Sequence, residues 1–229
     1  MRLFTYKLTH DTGFAPNPFH GRLTLATCKP GIRRSKSVGD WIAGFTSKAL
    51  VLNSGGTARA WDGIPRLLYL MKVSERVSIA EYYVDRRFTP KIPQLGSSAQ
   101  VSAGDNIYRP LLTGAVSPSE FEIVENPSHP AKNDHIETDL SGLYVLVSEQ
   151  FYYFGREALK IPDEVAVSVP RGPSRYGERV DETSAERFIN LVTALYPVGV
   201  HGWPHMWDEA ETLPNCKPKL IATSESCAR

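Results

Sequence analysis

Residues 66–73 read RLLYLMKV, which is the most apolar run in the first half of the chain. Nearly every position of this run suits a packed surface, a pattern that is typical of a strand in the middle of a sheet. Two shorter runs before it also predict strands. Residues 2–8, RLFTYKL, alternate between two faces, and residues 40–45, DWIAGF, are short, apolar and aromatic. We therefore expect a sheet in the first half of the chain, with residues 66–73 at its centre.

Two helices are predicted from their capping and spacing patterns. Ser78 is followed three residues later by Glu81, the pairing that forms a capping box, so a short helix is expected to start after Ser78. The strongest helical pattern covers residues 183–195, where apolar side chains recur at helical spacing. Asp181 or Thr183 is suited to cap that helix.

The order of these elements indicates the fold class. Strands dominate the first two thirds of the chain and the strong helix comes late, which favours an α+β fold over repeated βαβ units. Residues 144–148, YVLVS, add another strand. Residues 22–27 fit either a short strand or the first turn of a helix, and the sequence leaves both open. We expect one domain over residues 1–229, with a core at about 1–160 and a helical C-terminal extension at about 161–229.

Composition and charge exclude several classes of protein. The 229 residues are 41% hydrophobic and 22% charged, and their formal net charge of +1 leaves no strong overall attraction for polyanions. Cys28, Cys216 and Cys227 are an odd number without paired spacing, which argues against a disulfide framework and fits a reducing cytoplasm. No signal-peptide pattern starts the chain, and no window reaches the roughly 18 apolar residues of a membrane span. The sequence predicts a soluble, cytoplasmic protein without a membrane partner.

Between the first two strands lies an unusual segment, DTGFAPNPFHGRLTLATCKPGIRR, residues 11–34. It contains three prolines, three glycines, two phenylalanines, a histidine and a cysteine. Turn residues free backbone N–H groups from strand pairing, and a loop of such groups receives an anion or the polar edge of a base. We predict that residues 11–30 fold back over the sheet and, with a turn at residues 104–108, wall a base-sized pocket.

The side chains of this loop suit a nucleobase. Phe14 and Phe19 would stack a base, at roughly 1–3 kcal/mol per stacked base. Asn17 offers both a donor and an acceptor to a base edge, and Asp11 offers an acceptor. The same residues also fit a structural role, in which the phenylalanines pin the loop to the core and Asp11 caps a turn. Both interpretations stay open at this point.

The loop also contains candidate catalytic groups. Cys28 would act as a nucleophile if Lys29 or Arg33 lowered the pKa of its thiol. His20 would act as a general base with Asp11 or Cys28. The structural alternatives are a small buried hydrophobe at Cys28 and a solvated surface histidine at His20.

We predict no metal and no cofactor. His201, His205 and Asp208 recur at a spacing that would place them on one face of a helix. However, Pro204 disfavours a helix there, and the chain has no CxxC or HExxH motif.

Three consecutive motifs resemble the EVE, ASCH and YTH group of PUA-like domains. They are GDWI at 39–42, LLYLMKV at 67–73 and EYYVDRRF at 81–88, and the resemblance covers roughly residues 36–90. It implies an α+β fold built on a PUA-like, partly closed mixed β-barrel with peripheral helices.

A second resemblance is more specific in the order and content of its motifs. DTGFAPNPF at 11–19, TLATCKP at 24–30, VGDW at 38–41 and GDNIY at 104–108 are similar to the nucleotide modification associated domain 2 family, over about residues 1–160. That family occurs in bacteria and phages and is named for its association with genes that modify bases in DNA. The resemblance implies recognition or processing of a modified nucleotide or base in DNA, with modification-system proteins as possible partners.

The motifs supply the candidate site residues. The candidate nucleotide-binding residues are Thr12, Phe14, Asn17, Phe19, Lys29, Arg33, Asp40, Trp41, Asp105, Asn106 and Tyr108, and the candidate catalytic residues are Cys28, His20 and Asp11. Two alternatives remain, namely a nucleotide-modifying enzyme that uses those catalytic residues and a non-catalytic subunit that only contacts other proteins. The 104–108 motif also fits a plain turn whose Asp and Asn hydrogen-bond their own backbone.

Overall fold

The structure is a computed structural model that describes residues 1–54, 61–129, 133–172 and 174–207. Asp208, Cys216 and Cys227 therefore lie outside the described residues. Across the described ranges, no helix combines the length and the apolar character that crossing a membrane requires.

The regular elements alternate along the chain. The strands are β1 (Leu3–Leu8), β2 (Leu23–Leu25), β3 (Trp41–Thr46), β4 (Leu67–Lys72), β5 (Glu75–Ser78), β6 (Tyr108–Pro110), β7 (Phe121–Ile123), β8 (Tyr144–Ser148), β9 (Gln150–Tyr153), β10 (Glu178–Arg179) and β11 (Gly199–Val200). The α-helices are α1 (Pro30–Ser35), α2 (Lys48–Asn53), α3 (Ile79–Val84), α4 (Ala99–Ser102), α5 (Asn133–Leu140) and α6 (Glu182–Leu195). Short 3-10 helices cover Arg86–Lys91, Pro118–Glu120, Gly155–Glu157 and Asp163–Val165.

A six-stranded sheet has the order β10-β1-β3-β4-β9-β11. Strands β1 and β3 are parallel, β4 is antiparallel to both β3 and β9, and β11 is parallel to β9. Strands β1, β3, β9 and β11 therefore run in one direction and end at the same side of the sheet, which we call the carboxyl edge. The interior position of β4 confirms the central strand predicted at residues 66–73.

Both faces of this sheet are covered. A three-stranded antiparallel sheet, β2-β8-β5, covers one face, where Leu23 and Leu146 pack in the same cluster as Tyr69. Helix α6 covers the other face, where Phe188 packs in the same cluster as Leu70. Neighbouring strand residues such as Tyr69 and Leu70 point to opposite faces, which explains why β4 is apolar throughout.

The α+β class is confirmed. None of the sheets in the described part of the chain closes on itself, so the PUA-like barrel is not confirmed. Residues 22–27 contain strand β2, which settles the choice between strand and helix. Asp181 caps α6, since its carboxylate accepts a 2.9 Å hydrogen bond from the Ser184 N–H. The capping box predicted at Ser78 is present as well.

Buried tyrosines predict a loss of stability at high pH. The hydroxyls of Tyr6 and Tyr69 are hydrogen-bonded at 2.7 Å inside the core, and burial raises the pKa of these phenols, and of Tyr82 and Tyr153, above the usual 10.0. These tyrosines contribute fully to the free energy of unfolding below about pH 10. The contribution is lost as the pH rises further, because the same hydroxyls ionise at a lower pH in the unfolded chain than in the folded one. Urea unfolding from neutral to alkaline pH, followed together with tyrosinate absorbance, measures this loss. A free energy of unfolding that stays unchanged as the pH rises above 10 would contradict it.

Candidate functional site

The loop of residues 11–30 is packed against the protein. It leaves β1 at the carboxyl edge, and Asn17 pairs with Thr24 across the loop through two backbone hydrogen bonds. The Asn17 side chain donates to the Ala103 carbonyl at 2.9 Å and accepts from Lys91 Nζ at 2.6 Å. Lys91 is fully buried, and burial lowers the pKa of its ammonium group to about 8, with the nearby Asp105 opposing that change. Lys91 thus anchors the middle of the loop.

The predicted turn at 104–108 joins the same buried network. Asp105 Oδ1 accepts from the Tyr82 hydroxyl at 2.7 Å, and Oδ2 accepts from Thr24 Oγ1 at 2.6 Å. Asn106 Nδ2 donates to the carbonyls of Tyr82 and Phe88 at 3.1 and 3.3 Å. The structure therefore brings Asn17, Asp105 and Asn106 together, but their polar atoms bind protein groups, which agrees with the structural interpretation.

Cys28 lies in a second cluster, centred on Asp139. The carboxylate of Asp139 accepts from the Cys28 backbone N–H at 2.7 Å and from the Tyr108 hydroxyl at 2.8 Å. Arg33 is fully buried beside it and donates to the carbonyls of Cys28, Tyr144 and Asp139. Burial and the Asp139 charge raise the pKa of the Cys28 thiol. The protonated thiol is a poor nucleophile, so this arrangement disfavours the catalytic role predicted for Cys28.

Four other predicted residues lie at three separate places in the protein. Phe14 is buried in the core and stacks on His129, with ring centroids 5.2 Å apart. Lys29 Nζ lies 5.2 Å from the centre of the Tyr6 ring. Asp40 and Trp41 lie at the start of β3, at the end of the sheet opposite the carboxyl edge.

Asp40 and Trp41 have evident structural partners. The Asp40 carboxylate accepts from Arg2 Nε at 2.6 Å and from the Ser37 N–H at 2.9 Å. Trp41 packs in the cluster under helix α6. Neither residue lines a site together with the loop of residues 11–30.

Asp11 meets the segment that follows β11. Asp11 Oδ1 accepts from the Tyr153 hydroxyl at 2.6 Å, and Oδ2 accepts from the His205 N–H at 2.9 Å. His205 Nδ1 lies 3.1 Å from the same Oδ2 atom. The Thr12 carbonyl accepts from Trp207 Nε1 at 2.8 Å. Residues 201–207 and the start of the loop are therefore joined at the carboxyl edge.

An aromatic cleft opens beside this junction. Phe19 stacks on Trp207 with centroids 5.3 Å apart, and Trp207 stacks on Trp203 at 5.6 Å. The cleft has a volume of about 280 Å³ and is lined by Pro18, Phe19, His20, Gly21, Gln100, Phe151, Gly199, Val200 and Trp203. Burial lowers the pKa of His20, which favours the neutral imidazole, and its Nε2 is buried with no hydrogen-bond partner among the described residues.

Two other cavities have different linings. A charged cleft of about 280 Å³ at the carboxyl edge is lined by Thr46, Val51, Trp61, Asp62, Ile64, Arg66, Arg156, Glu157, Ala158, Leu159, Lys160 and His205. A cavity of about 460 Å³ between α3 and the residues after β6 contains none of the predicted site residues. Of the three, the aromatic cleft is the one to which residues 18–21 contribute.

A family model described as nucleotide modification associated domain 2 matches residues 1–212 of the chain. The chain belongs to this family. A search of the curated proteins and a search of the solved structures found no match. The family's description associates its members with nucleotide modification.

The family match reaches further than the resemblance inferred from motifs. It includes residues 201–207 as well as the loop of residues 11–30, so both sides of the junction at Asp11 belong to the matched region. The four quoted motifs also fall within it. The residues that line the aromatic cleft all fall between positions 18 and 203, so the cleft lies within the matched region.

Several residues around the site were not predicted. Asp139 binds Cys28 from 111 residues away in sequence, and Lys91 binds Asn17 from 74 residues away. Nothing in the local sequence pattern points to either residue. Trp203 and Trp207 were not among the predicted site residues. Trp207 is buried, whereas Trp203 is partly exposed and lines the aromatic cleft.

Proposed function

We propose that this protein recognises a modified nucleotide or base in DNA, within a bacterial or phage DNA-modification system, by taking the base into the aromatic cleft. The family membership supports a link to nucleotide modification. The cleft supports binding of a planar, partly polar ligand, since its wall combines Phe19, Phe151 and Trp203 with one imidazole. Aromatic faces stack any nucleobase because every base has a π-face.

The observation that carries this proposal is the state of His20. A buried polar atom without a hydrogen-bond partner is costly, and such atoms are rare in folded proteins. Nε2 of His20 is such an atom, and the side chain lines the cleft between Phe19 and Gly21. A neutral imidazole has one donor and one acceptor nitrogen, which suits the edge of a base. A base whose edge reaches Nε2 would supply the missing partner.

Truncating Trp203 is expected to weaken ligand binding with little change in fold. A thermal-shift screen first identifies a nucleotide that stabilises the native protein, and direct titration then measures its affinity. The ligands are deoxynucleoside monophosphates with and without 5-methyl, 5-hydroxymethyl or N6-methyl groups. For a nucleotide that stabilises the native protein, Trp203→Ala should weaken binding about 5- to 150-fold, equivalent to the roughly 1–3 kcal/mol of one stacked base.

The matched control is Trp61→Ala, which removes a tryptophan from the charged cleft instead. That variant should bind like the native protein, provided both variants keep their cooperative unfolding. Equal affinity of Trp203→Ala and the native protein would contradict the proposal, and so would a selective loss in Trp61→Ala.

An enzymatic role has one observation in its favour. Asp11 is a buried carboxylate that lies against His205 Nδ1, and His205 lines the charged cleft. A carboxylate that orients an imidazole is an arrangement used for proton transfer. Chromatography of nucleotides recovered from the binding assay separates the two roles, since unchanged nucleotide supports recognition and a new product supports the enzyme.

A further inference from the structure

Exposed arginines gather on one side of the molecule, although the net charge is only +1. Arg34 lies on α1, Arg175 lies in the loop before β10, and Arg179 lies in β10; all three are exposed. Together with the exposed ring of Tyr176, we call them the basic surface. The basic surface is separate from the aromatic cleft. The role that we infer for it does not depend on the function proposed for the cleft.

Direct packing brings these segments together. A Cβ placed on Gly31 would overlap the Arg175 carbonyl oxygen, so Arg175 lies directly on α1. Arg179 pairs with Phe4 of β1, and Lys36, just after α1, places its Nζ 3.6 Å from the centre of the Phe4 ring. Residues more than 140 positions apart in sequence therefore lie side by side.

No described carboxylate lies within ion-pair distance of these arginines, although Arg179 interacts with Glu182 at longer range. Arg34, Arg175 and Arg179 form no ion pair within the described ranges, whereas arginines elsewhere, such as Arg22, do. Unpaired, hydrated arginines release counterions when they meet phosphates, and this release is the main source of affinity for nucleic-acid backbones. The fork of a guanidinium also matches the geometry of a phosphate.

An aromatic ring stands among these charges. Tyr176 is 44% exposed, and the Arg175 guanidinium lies 5.3 Å from the centre of its ring. Basic grooves with exposed aromatic rings are typical of surfaces that bind single strands, where the ring stacks a base and the cations follow the backbone.

We propose that the basic surface binds the phosphate backbone of a single-stranded nucleic acid, with Tyr176 stacking one base. This surface lies by β10 and β1, whereas the aromatic cleft lies by β9 and β11 at the other side of the sheet. The two sites are therefore separated by several strand spacings of about 4.8 Å each. They are expected to bind independently when the ligand is a single nucleotide.

Fluorescence anisotropy of a labelled strand tests the proposal with the full chain. One such surface covers about 4–16 nucleotides. The probe is therefore a thymidine oligonucleotide longer than this site. A variant with Arg34→Gln, Arg175→Gln and Arg179→Gln should bind about tenfold or more weakly at moderate salt. The slope of log affinity against log salt should fall by about 2, because each phosphate contact on a single strand contributes about 0.7.

The control variant carries Lys48→Gln, Arg86→Gln and Arg109→Gln, which removes the same charge from exposed side chains elsewhere. It should keep the native slope. Equal weakening by both triple variants, or an unchanged slope in the first, overturns the proposal. So does tighter binding of a duplex than of the strand, or binding of phosphatidylserine vesicles in place of the oligonucleotide.

Failure of this proposal is distinguishable from failure of the cleft proposal. Trp203→Ala should keep strand binding through the basic surface, and Tyr176→Ala should weaken strand binding while it leaves nucleotide binding in the cleft unchanged. If Trp203→Ala alone abolishes strand binding, the strand binds at the cleft and the basic surface has no part in it.

Discussion

Replacing Lys91 with methionine is expected to lower the free energy of unfolding by about 3–5 kcal/mol, the usual cost of removing one member of a buried charged network. Lys91 Nζ donates to both the carbonyl and the side-chain oxygen of Asn17, at 3.1 and 2.6 Å. Methionine fills the same space but leaves these oxygens without their donor, and it removes the cation that faces Asp105. Urea unfolding at pH 7, below the pKa of about 8, measures the loss.

The same substitution should also affect ligand binding. Asn17 immediately precedes Pro18 and Phe19 of the aromatic cleft, so release of Asn17 should displace that wall. The control is Lys48→Met, an exposed lysine whose replacement should change stability by no more than about 0.5 kcal/mol. If Lys91→Met and Lys48→Met unfold at the same urea concentration, Lys91 does not anchor the loop.

Replacing Asp139 with asparagine should have an effect of similar size, about 3–5 kcal/mol. The Arg33 guanidinium is fully buried and has Asp139 as its nearby carboxylate, 3.7 Å away. Burial pushes the pKa of Asp139 upward, but the His129 imidazole, Arg33 and the Tyr108 hydroxyl outweigh it, so the pKa lies below its usual value. Asparagine keeps the shape and removes the charge, which leaves the buried guanidinium uncompensated.

Urea unfolding at neutral pH measures this effect as well. Glu137→Gln is the matched control, because it makes the same chemical change at an exposed position of α5. The control should unfold like the native protein. Equal stability of the two variants would show that Arg33 does not depend on Asp139.

Local patterns were sufficient for the main strands of the six-stranded sheet and for helices α3 and α6. The apolar run at 66–73 predicted the interior strand, and the Ser78–Glu81 spacing predicted a capping box that the structure contains. These features depend on interactions within a few residues, so they can be deduced from the sequence. Barrel closure depends on which strands meet at the edges of a sheet, and β10 and β11 are too short to be recognised from their sequences.

The sequence indicated that the loop of residues 11–30 would contribute to a pocket, but not which side chains would line it. The loop of residues 11–30 contributes to a base-sized cleft, yet only Phe19 and His20 of the predicted residues line it. Asn17, Asp105 and Tyr108 instead bind Lys91, Tyr82 and Asp139. A polar side chain suited to a base is equally suited to a buried protein network, and the choice depends on partners such as Asp139 that are remote in sequence.

Fluorine NMR of the protein labelled with 5-fluorotryptophan tests the aromatic cleft most directly. The chain has four tryptophans, of which Trp203 lines the cleft, Trp61 lines the charged cleft and Trp41 is buried under α6. Titration with a nucleotide that stabilises the protein should shift the Trp203 resonance in a saturable manner and leave those of Trp61 and Trp41 in place. A saturable shift of Trp61 with an unmoved Trp203 resonance would contradict binding at the aromatic cleft.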